Sequence, residues 1–439
     1  MDSLDALVAQ VQGFSGTDDL LHLFSLLKQS DELLHTHAPR LQYALSSLDP
    51  AKHSLGYLYL LEVQSSGTLS QEQSENFLAL ASTFLNVCVA EQICLAPEKF
   101  NMVCRRVKEQ ALQLQEPLRA ILPLQAAIRK LQPSSEFLTA MHADFLQMCL
   151  LAKCYKASLS ILEDDIFEID QKRTGLVPRD FLLYCYYGGM IHIGLKQFGK
   201  ALEFFQHAIT APATVLNAIT IAAYKKFVLV SLIQLGHFHD CFVQVPPFPK
   251  YTPPVVQRNL KSCVQDYVDL ATLYTTRNIA VADVKGYITT HEDAFKSDNN
   301  LGLARQVIVS LYKRNIQRLT QTYLTLSLQD IADTVQLDGP KEAELHILQM
   351  IQDGEIFARI NQKDGMVSFQ EDPEQYNTSA MTMRLNLEIH NIVRLAKKLT
   401  SVDEQVSCDQ VYLSKIGRDR PRYETEDFDI VPQKMYTNL

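Results

Sequence analysis

Proline breaks recur along the first 300 residues, which otherwise show helical patterns, and this spacing limits the possible folds more than any other feature. Proline ends a helix because it lacks a backbone N–H and its ring collides with the preceding turn. The breaks fall at Asp49-Pro50, Ala96-Pro97, Gln132-Pro133, Gly175–Pro178, Ala211-Pro212 and Pro246–Pro254. Helices of about 12 to 20 residues with breaks at this spacing predict stacked antiparallel helix pairs, an α-solenoid.

The clearest repeat unit spans residues 181–212. Its second helix carries Ala201, Phe205 and Ala208 on one face, which matches the second helix of a tetratricopeptide repeat (TPR). The alanines let two helices approach, and the aromatic ring fills the gap between them. Gly188-Gly189 lies in the first helix, where it predicts close helix packing rather than a phosphate-binding loop. The turn is longer than in the consensus, so the unit is TPR-like.

A different unit follows at Ser310–Phe369, where the order of elements predicts a winged helix. Ser327 can cap a helix, because its hydroxyl accepts a hydrogen bond from a free N–H of the first turn. The predicted elements are a first helix from Leu311, a short strand at Thr325–Ser327, helices at Leu328–Val335 and Lys341–Asp353, and hairpin strands at Ile356–Asn361 and Met366–Phe369. The fold is therefore predicted to be mainly α: a TPR-like solenoid, then a winged helix with a small antiparallel β hairpin.

The charge of this winged helix argues against DNA binding. Between Asp338 and Gly354 the charged residues are one cation and four anions, namely Asp338, Lys341, Glu342, Glu344 and Asp353. Attraction to phosphates normally supplies most of the binding energy, so such a face repels a duplex. The wing is predicted to contact protein, and a nucleic-acid-binding winged helix is the alternative from another class.

One more helix is predicted from about Thr378 to Val406, with an apolar seam on a polar background. The seam residues follow alternating spacings of four and three, as in a coiled coil: Leu385, Ile389, Ile392, Ala396 and Leu399. Arg394, Lys397 and Lys398 flank the seam. An isolated helix of this length is marginal in water, so the seam needs a partner. That partner is either a bundle of other helices or the chain's own winged helix.

Composition favours a folded protein without a secretory signal or a membrane segment. The net charge is −9 and 47% of the residues are hydrophobic, which predicts folded structure through most of the chain. The acidic start of the sequence does not resemble a secretory signal, and the apolar runs fall short of the ~20 residues that span a bilayer. The nine cysteines form no C-x-x-C pair. Reduced thiols in a cytoplasmic and nuclear protein, without a membrane segment, are expected.

No catalytic motif survives inspection. His35-Thr-His37 is similar to the start of a JAMM zinc-protease motif, but the positions of its later serine and aspartate hold Leu45 and Leu48. His237–Asp240 lies at a helix end, where histidines complement the helix dipole. The acidic run Glu163–Asp165 is best explained as a solvated helix start. The sequence predicts no enzyme activity, no metal and no cofactor.

The order of solenoid, winged helix and bundling helix resembles the PCI family of scaffold subunits. Its members belong to the proteasome lid, the COP-nine signalosome and translation initiation factor three. The resemblance is strongest to a signalosome subunit and rests on these blocks: Cys149–Cys154, Tyr186–Ile191, Tyr224–Ile233, Ser310–Ala332 and Gly354–Phe369. It implies a non-catalytic subunit of the machine that removes the ubiquitin-like protein Nedd8 from cullin-RING ubiquitin ligases. The protease would belong to another subunit.

The resemblance also implies how such a subunit meets its partners. PCI subunits associate through their winged helices, with subunits one and eight as expected neighbours, and their terminal helices gather in one bundle. At the wing edge we expect Ile356, Phe357, Ala358, Val367 and Phe369, and in the bundle the seam residues Leu385, Ile389, Ile392, Ala396 and Leu399. No nucleic acid or membrane partner is expected.

The expected division of the chain has four parts. Residues 1–195 are N-terminal helical repeats. Residues 196–372 form the PCI module, with TPR-like helices to about 305 and the winged helix at 306–372. Residues 373–406 are the bundling helix, and residues 407–439 are expected to be a disordered tail, because they are polar and charged.

Overall fold

The computed structural model of the chain describes residues 3–15, 20–36, 41–67, 69–212, 215–236, 254–276, 280–370 and 378–419. Within these residues the chain forms 24 helices and one three-stranded sheet, which confirms the mainly α fold. His37, the segment His237–Asp240 and most of Pro246–Pro254 lie outside the described residues.

The N-terminal helices follow one another with short connections. They are α1 (Ser3–Phe14), α2 (Leu20–Gln29), α3 (Asp31–Thr36), α4 (Leu41–Ser47), α5 (Ser54–Gln64), α6 (Gln71–Val87), α7 (Ala90–Ile93), α8 (Pro97–Gln113), α9 (Leu118–Leu131), α10 (Met141–Leu151), α11 (Tyr155–Leu162) and α12 (Gln171–Thr174). Pro97 opens α8 in the first turn, where a missing N–H leaves no hydrogen bond unmade. Pro178 also begins a helix, and Pro50, Pro133 and Pro212 lie between helices, so the proline breaks separate helices as the sequence predicts.

Seven further helices lead to the winged helix. They are α13 (Pro178–Gly194), α14 (Phe198–Thr210), α15 (Ala218–Leu235), α16 (Pro254–Cys263), α17 (Gln265–Thr275), α18 (Val281–Thr290) and α19 (Glu292–Ser297). The pair α13 and α14 is the predicted TPR-like unit. Ala201, Phe205 and Ala208 are buried between them. A Cβ atom on Gly189 would lie 2.6 Å from a ring carbon of Phe205, so only glycine permits this approach.

Helix α15 is the one helix of the described residues that is long and apolar enough to cross a membrane, with 18 residues and a mean hydropathy of 1.5. Core helices pass the same test, so length and composition are weak evidence. Here 56% of the helix is buried inside the protein. Val228, Leu229 and Leu232 have no exposed surface, which places them in the core.

A buried polar network joins α15 to the region before the winged helix. The Lys226 ammonium donates to Asn300 Oδ1 at 2.5 Å, and Asn300 Nδ2 donates to the Tyr267 hydroxyl at 3.0 Å. Tyr267 in turn donates to Asp298, which also pairs with Lys225 at 2.7 Å. Each buried polar group thus has a partner, and the network ties the helical repeats to the segment that starts the winged helix.

The winged helix has the predicted order of elements. They are α20 (Leu301–Thr322), β1 (Thr325–Ser327), α21 (Leu328–Val335), α22 (Pro340–Gln352), β2 (Ala358–Asn361) and β3 (Met366–Phe369). The Ser327 hydroxyl accepts from the Asp330 N–H at 3.0 Å, which confirms the predicted cap. Gly365 adopts a φ of +63° in the hairpin turn, a conformation that favours glycine.

Two helices follow the wing. Helix α23 (Ser379–Cys408) matches the predicted bundling helix within a few residues, and Thr378 caps it. Helix α24 (Gln410–Asp419) lies where the sequence predicts a disordered tail. The Asp409 carboxylate explains this difference, because it accepts hydrogen bonds from the N–H groups of Val411 and Tyr412 and so starts a new helix. Residues 420–439 lie outside the described residues.

Candidate partner-binding surfaces

Among the described residues, the sheet of the winged helix has backbone groups at its outer strands that pair with no other strand. The strand order is β1-β3-β2, with both pairings antiparallel, so β1 and β2 are the edges. The Gln370 N–H donates to the Phe357 carbonyl at 2.7 Å, and by antiparallel alternation Arg359 and Asn361 also pair with β3. The backbone groups of Ala358 and Ile360 therefore point away from the sheet, where a further strand could pair.

The five predicted wing residues lie at different depths around this edge. Ile356, Val367 and Phe369 are buried in the core of the winged helix. Val367 and Phe369 belong to the central strand, so they support the hairpin from beneath. Phe357 and Ala358 are half-buried, and Ala358 lies in the edge strand itself. The structure thus brings the five together in one small region and puts only Ala358 on the open edge strand.

Helix α22, the element that reads bases in a DNA-binding winged helix, has an apolar exposed face. Leu345 is 64% exposed and Leu348 is 45% exposed, one helical turn apart. A helix that contacts base edges needs cationic or amide side chains there. The leucines fit a protein partner better than a nucleic acid, and they add to the charge argument from the sequence.

Helix α20 carries the basic residues Lys313 and Arg314, and both are engaged within the protein. The Lys313 ammonium pairs with Asp353 at 2.9 Å and with Glu355 at 3.0 Å. The Arg314 guanidinium lies over the Tyr274 ring, 5.5 Å from its centroid. These cations therefore stabilise the packing of α20 against its neighbours and are poorly placed to bind phosphates.

Helix α23 leaves its whole apolar face uncovered. None of its residues is buried, and the four large seam residues are 52–68% exposed: Leu385, Ile389, Ile392 and Leu399. Ala396 is exposed as well. The seam is therefore not packed on the winged helix in the described residues, although the sequence left that alternative open. An uncovered face of this kind marks an interaction surface.

The apolar face of α23 is wider than the sequence seam. Val393, Leu395, Val402 and Val406 are also exposed and lie beside the seam. At 3.6 residues per turn, the combined face covers about half of the helix circumference. A two-helix coiled coil covers a narrower stripe, so this face suits contact with more than one partner helix.

The one cluster of possible metal ligands among the described residues already holds a cation. Asp31, His35 and Glu62 offer ligand atoms within 4.8 Å of one another. The Lys99 ammonium lies between the carboxylates, 2.9 Å from Asp31 and 2.8 Å from Glu62. It pairs with both carboxylates and occupies the space between them, so the cluster is explained as an ion-pair network that joins α3, α5 and α8.

Burial disfavours the nucleophilic form of four described thiols. The eight described cysteines are free, and Cys88, Cys104, Cys149 and Cys185 are buried. Burial raises the pKa of Cys149 and of Cys185 to about 12. These thiols stay protonated at neutral pH, and a protonated thiol is a poor nucleophile.

Sequence reasoning missed three features of these surfaces. It did not identify Leu345 and Leu348 as exposed, although their spacing of three on α22 was a signal. It limited the apolar face of α23 to the seam, although the apolar residues Val393 and Leu395 are visible beside it in the sequence. It also missed Leu324, which is 83% exposed just before β1. No local pattern in the sequence distinguishes this leucine from a core residue.

Comparison with known proteins agrees with this architecture. The family described as COP9 signalosome complex subunit 3, N-terminal helical repeats, matches residues 17–256, and the PCI domain family matches residues 281–371. The chain is thus a helical-repeat protein that carries a PCI domain.

Two relatives identify the family more narrowly. COP9 signalosome complex subunit 3 of Arabidopsis thaliana is 48% identical over 437 residues, which cover 99% of this chain and 98% of the relative. The protein of the same description from Dictyostelium discoideum is 39% identical over 401 residues, which cover 90% of this chain and 92% of the relative. The chain belongs to the COP9 signalosome subunit 3 family.

Proposed function

We propose that this protein is a non-catalytic scaffold subunit of the COP9 signalosome. In this role it supports the removal of Nedd8 from cullin-RING ubiquitin ligases by a protease in another subunit. The uncovered apolar face of α23 is the observation that carries the proposal, because this 30-residue helix buries none of its residues within the described chain. The names of the two relatives specify the complex.

The energetics of α23 favour assembly with other helices. Full burial of a Leu or Ile side chain contributes about 1.5–3 kcal/mol, so the seam alone offers a substantial driving force. Leu385 and Ile392 lie two turns apart and are 52% and 64% exposed. A helix with such a face gains stability when it joins a bundle of the terminal helices of other subunits.

The open edge of β2 supports a second contact, with the winged helix of a neighbouring PCI subunit. Strand addition to a free edge joins two subunits through main-chain hydrogen bonds, and the side chains beside the edge give specificity. Phe357 and Ala358 would lie at this contact, with Ile356, Val367 and Phe369 beneath it. Subunits one and eight are the expected neighbours.

We propose a non-catalytic role because of the chemistry of the described residues. The carboxylates of the Asp31, His35 and Glu62 cluster are paired with Lys99, and the buried thiols of Cys149 and Cys185 stay protonated. Reduced thiols also fit the cytoplasm and nucleus, which we propose as the locations of the protein. The division of the repeats from the PCI module near residue 195 is likewise proposed.

The test is native purification of the tagged chain, with and without residues 373–439, followed by mass spectrometry. We expect the full chain to co-purify with seven other subunits, including a JAMM protease, and the truncated chain to lose them. Co-purification of proteasome-lid or initiation-factor subunits would instead favour those PCI assemblies. Purification of the full chain alone would overturn the scaffold role.

A matched pair of variants tests the α23 face directly. Leu385→Asp combined with Ile392→Asp puts two charges in the seam, and we expect at least tenfold less incorporation into the complex. His390→Asp combined with Lys397→Asp adds the same side chains on another face and should assemble normally. Circular dichroism checks that both proteins stay folded. Equal incorporation of the two variants would contradict the bundle role.

A further inference from the structure

Helix α23 contacts the helical repeats through a face that the proposed bundle does not use. The Arg394 guanidinium pairs with Asp165 at 2.5 Å. The Lys398 ammonium pairs with Glu136 and, at 3.3 Å, with Glu168. Arg394 and Lys398 lie one turn apart, on the side of α23 opposite the seam. These contacts join residues that are 229 to 262 positions apart in the sequence.

An exposed aromatic ring lies beneath both cations. The centroid of the Phe167 ring is 5.4 Å from Arg394 Cζ and 5.0 Å from Lys398 Nζ, within the range of cation–π attraction. Phe167 is 40% exposed and lies in the loop between α11 and α12. A large aromatic side chain in such a loop, with two cations over its face, has a role beyond core packing.

The backbone holds the acidic side of this contact in place. Phe137 and Glu168 form a parallel bridge. The Leu138 N–H donates to the Glu168 carbonyl at 3.1 Å, and the Phe167 N–H donates to the Glu136 carbonyl at 3.0 Å. This pairing brings the carboxylates of Glu136 and Glu168 together, where they repel each other unless a cation lies between them. Lys398 supplies that cation, and its ion pair with Glu136 raises its pKa.

We infer that Glu136, Asp165, Phe167 and Glu168 form an intramolecular docking clamp for the basic face of α23. The clamp fixes the direction of α23 along the repeats and turns its apolar face outward. It also gives a role to Asp165 of the acidic run and to Arg394 and Lys398 of the basic residues on α23, which the scaffold role does not use. The idea that the clamp orients α23 for assembly rests on the proposed function. The clamp itself is a contact within the free chain.

Zero-length carbodiimide cross-linking of the free full-length protein tests the contact. The reagent joins a lysine amine to a carboxylate only when they touch. A mixture of ¹⁴N- and ¹⁵N-labelled protein separates bonds within a chain from bonds between chains. We expect peptides that link Lys398 to Glu136 or Glu168 with a single isotope, and fewer of them at high salt, because exposed ion pairs are screened. Links only between chains, or none, would overturn the clamp.

Hydrogen exchange of residues 379–408 tests what the clamp does. Lys398→Glu and, separately, Phe167→Ala should make these amides exchange about fivefold faster, the size expected for an exposed ion pair or a cation–π contact. Lys397→Glu is the matched control, because Lys397 makes no ion pair with any described residue. Adding Glu136→Lys to Lys398→Glu should recover part of the protection. The same exchange rate in the Lys397 and Lys398 variants would overturn the clamp, whether or not the protein assembles.

Discussion

At the scale of single residues, a fully buried histidine makes the fold sensitive to acid. The His142 side chain has no exposed surface, and burial lowers its pKa to about 3. Its Nδ1 lies 2.9 Å from Thr139 Oγ1, and its Nε2 lies 3.2 Å from the amide nitrogen of Gln132. Both ring nitrogens have partners while the ring is neutral, so protonation would put an uncompensated charge in the core.

The pKa of His142 predicts acid sensitivity with a definite sign. In the unfolded chain the ring titrates near 6.5, so at lower pH the unfolded chain binds a proton that the folded chain does not. Stability from this residue is present above pH 6.5 and is lost as the pH falls. We expect His142 to lower the free energy of unfolding by about 2 kcal/mol between pH 7 and pH 5.

The measurement is urea unfolding of the wild type and of His142→Gln at the two pH values. The glutamine keeps a polar side chain but cannot be protonated, so that variant should lose this part of the pH dependence. An equal pH dependence in both proteins would show that His142 is not held neutral.

At the scale of elements, the contact between α13 and α14 depends on Gly189. The ring of Phe205 has no exposed surface and cannot move away from a Cβ added at Gly189. We expect Gly189→Ala to lower the free energy of unfolding by about 1–3 kcal/mol, the usual cost of overpacking a core. Gly199→Ala, in α14, meets no atom within 4 Å and should be neutral or stabilising. Equal denaturation midpoints for the two variants would contradict this packing.

The same elements show what a sequence can predict. The pairing of α13 with α14 was predictable because Ala201, Phe205 and Ala208 lie within one helix and carry the signal locally. The cap of α21 was predictable for the same reason. The pairing of Arg394 with Asp165 was not, because it joins segments 229 positions apart and neither segment specifies the other.

Part of the candidate partner-binding surfaces could likewise be predicted from the sequence, and part could not. The apolar spacing of the α23 seam was visible in the sequence, since it repeats along a single helix. The position of Val367 on the central strand was not visible, because it depends on β1 pairing with the far side of β3. Whether a wing residue lies on an edge or in the core is set by strand order, and strand order is a property of the whole domain.

At the scale of the whole molecule, the apolar face of α23 and the outer edge of β2 are chemically different surfaces, and both are open among the described residues. The apolar face of α23 needs apolar partners and gains stability from burial. The outer edge of β2 needs hydrogen-bond partners and gains direction and register from them. Two contacts of different kinds would hold a scaffold subunit in one orientation, which neither contact could do alone.

A proline substitution in β2 can test the edge contact without unfolding the winged helix. The N–H of Ala358 points away from β3, so Ala358→Pro removes an outward donor and leaves the bonds of Phe357 and Arg359 to β3 in place. Proline is tolerated on an edge strand in this position. We expect the variant to unfold within about 1 kcal/mol of the wild type but to lose binding to a neighbouring PCI subunit.

The matched control lies on the opposite edge of the same sheet. By the same alternation, the N–H of Thr325 points outward from β1, so Thr325→Pro makes an equivalent change there. Pull-down of neighbouring subunits, with thermal unfolding of each variant, compares the two edges. Loss of binding in the Ala358 variant alone assigns the contact to β2. Loss in the Thr325 variant alone moves it to β1, and full binding by both excludes strand addition as the way this winged helix meets its partner.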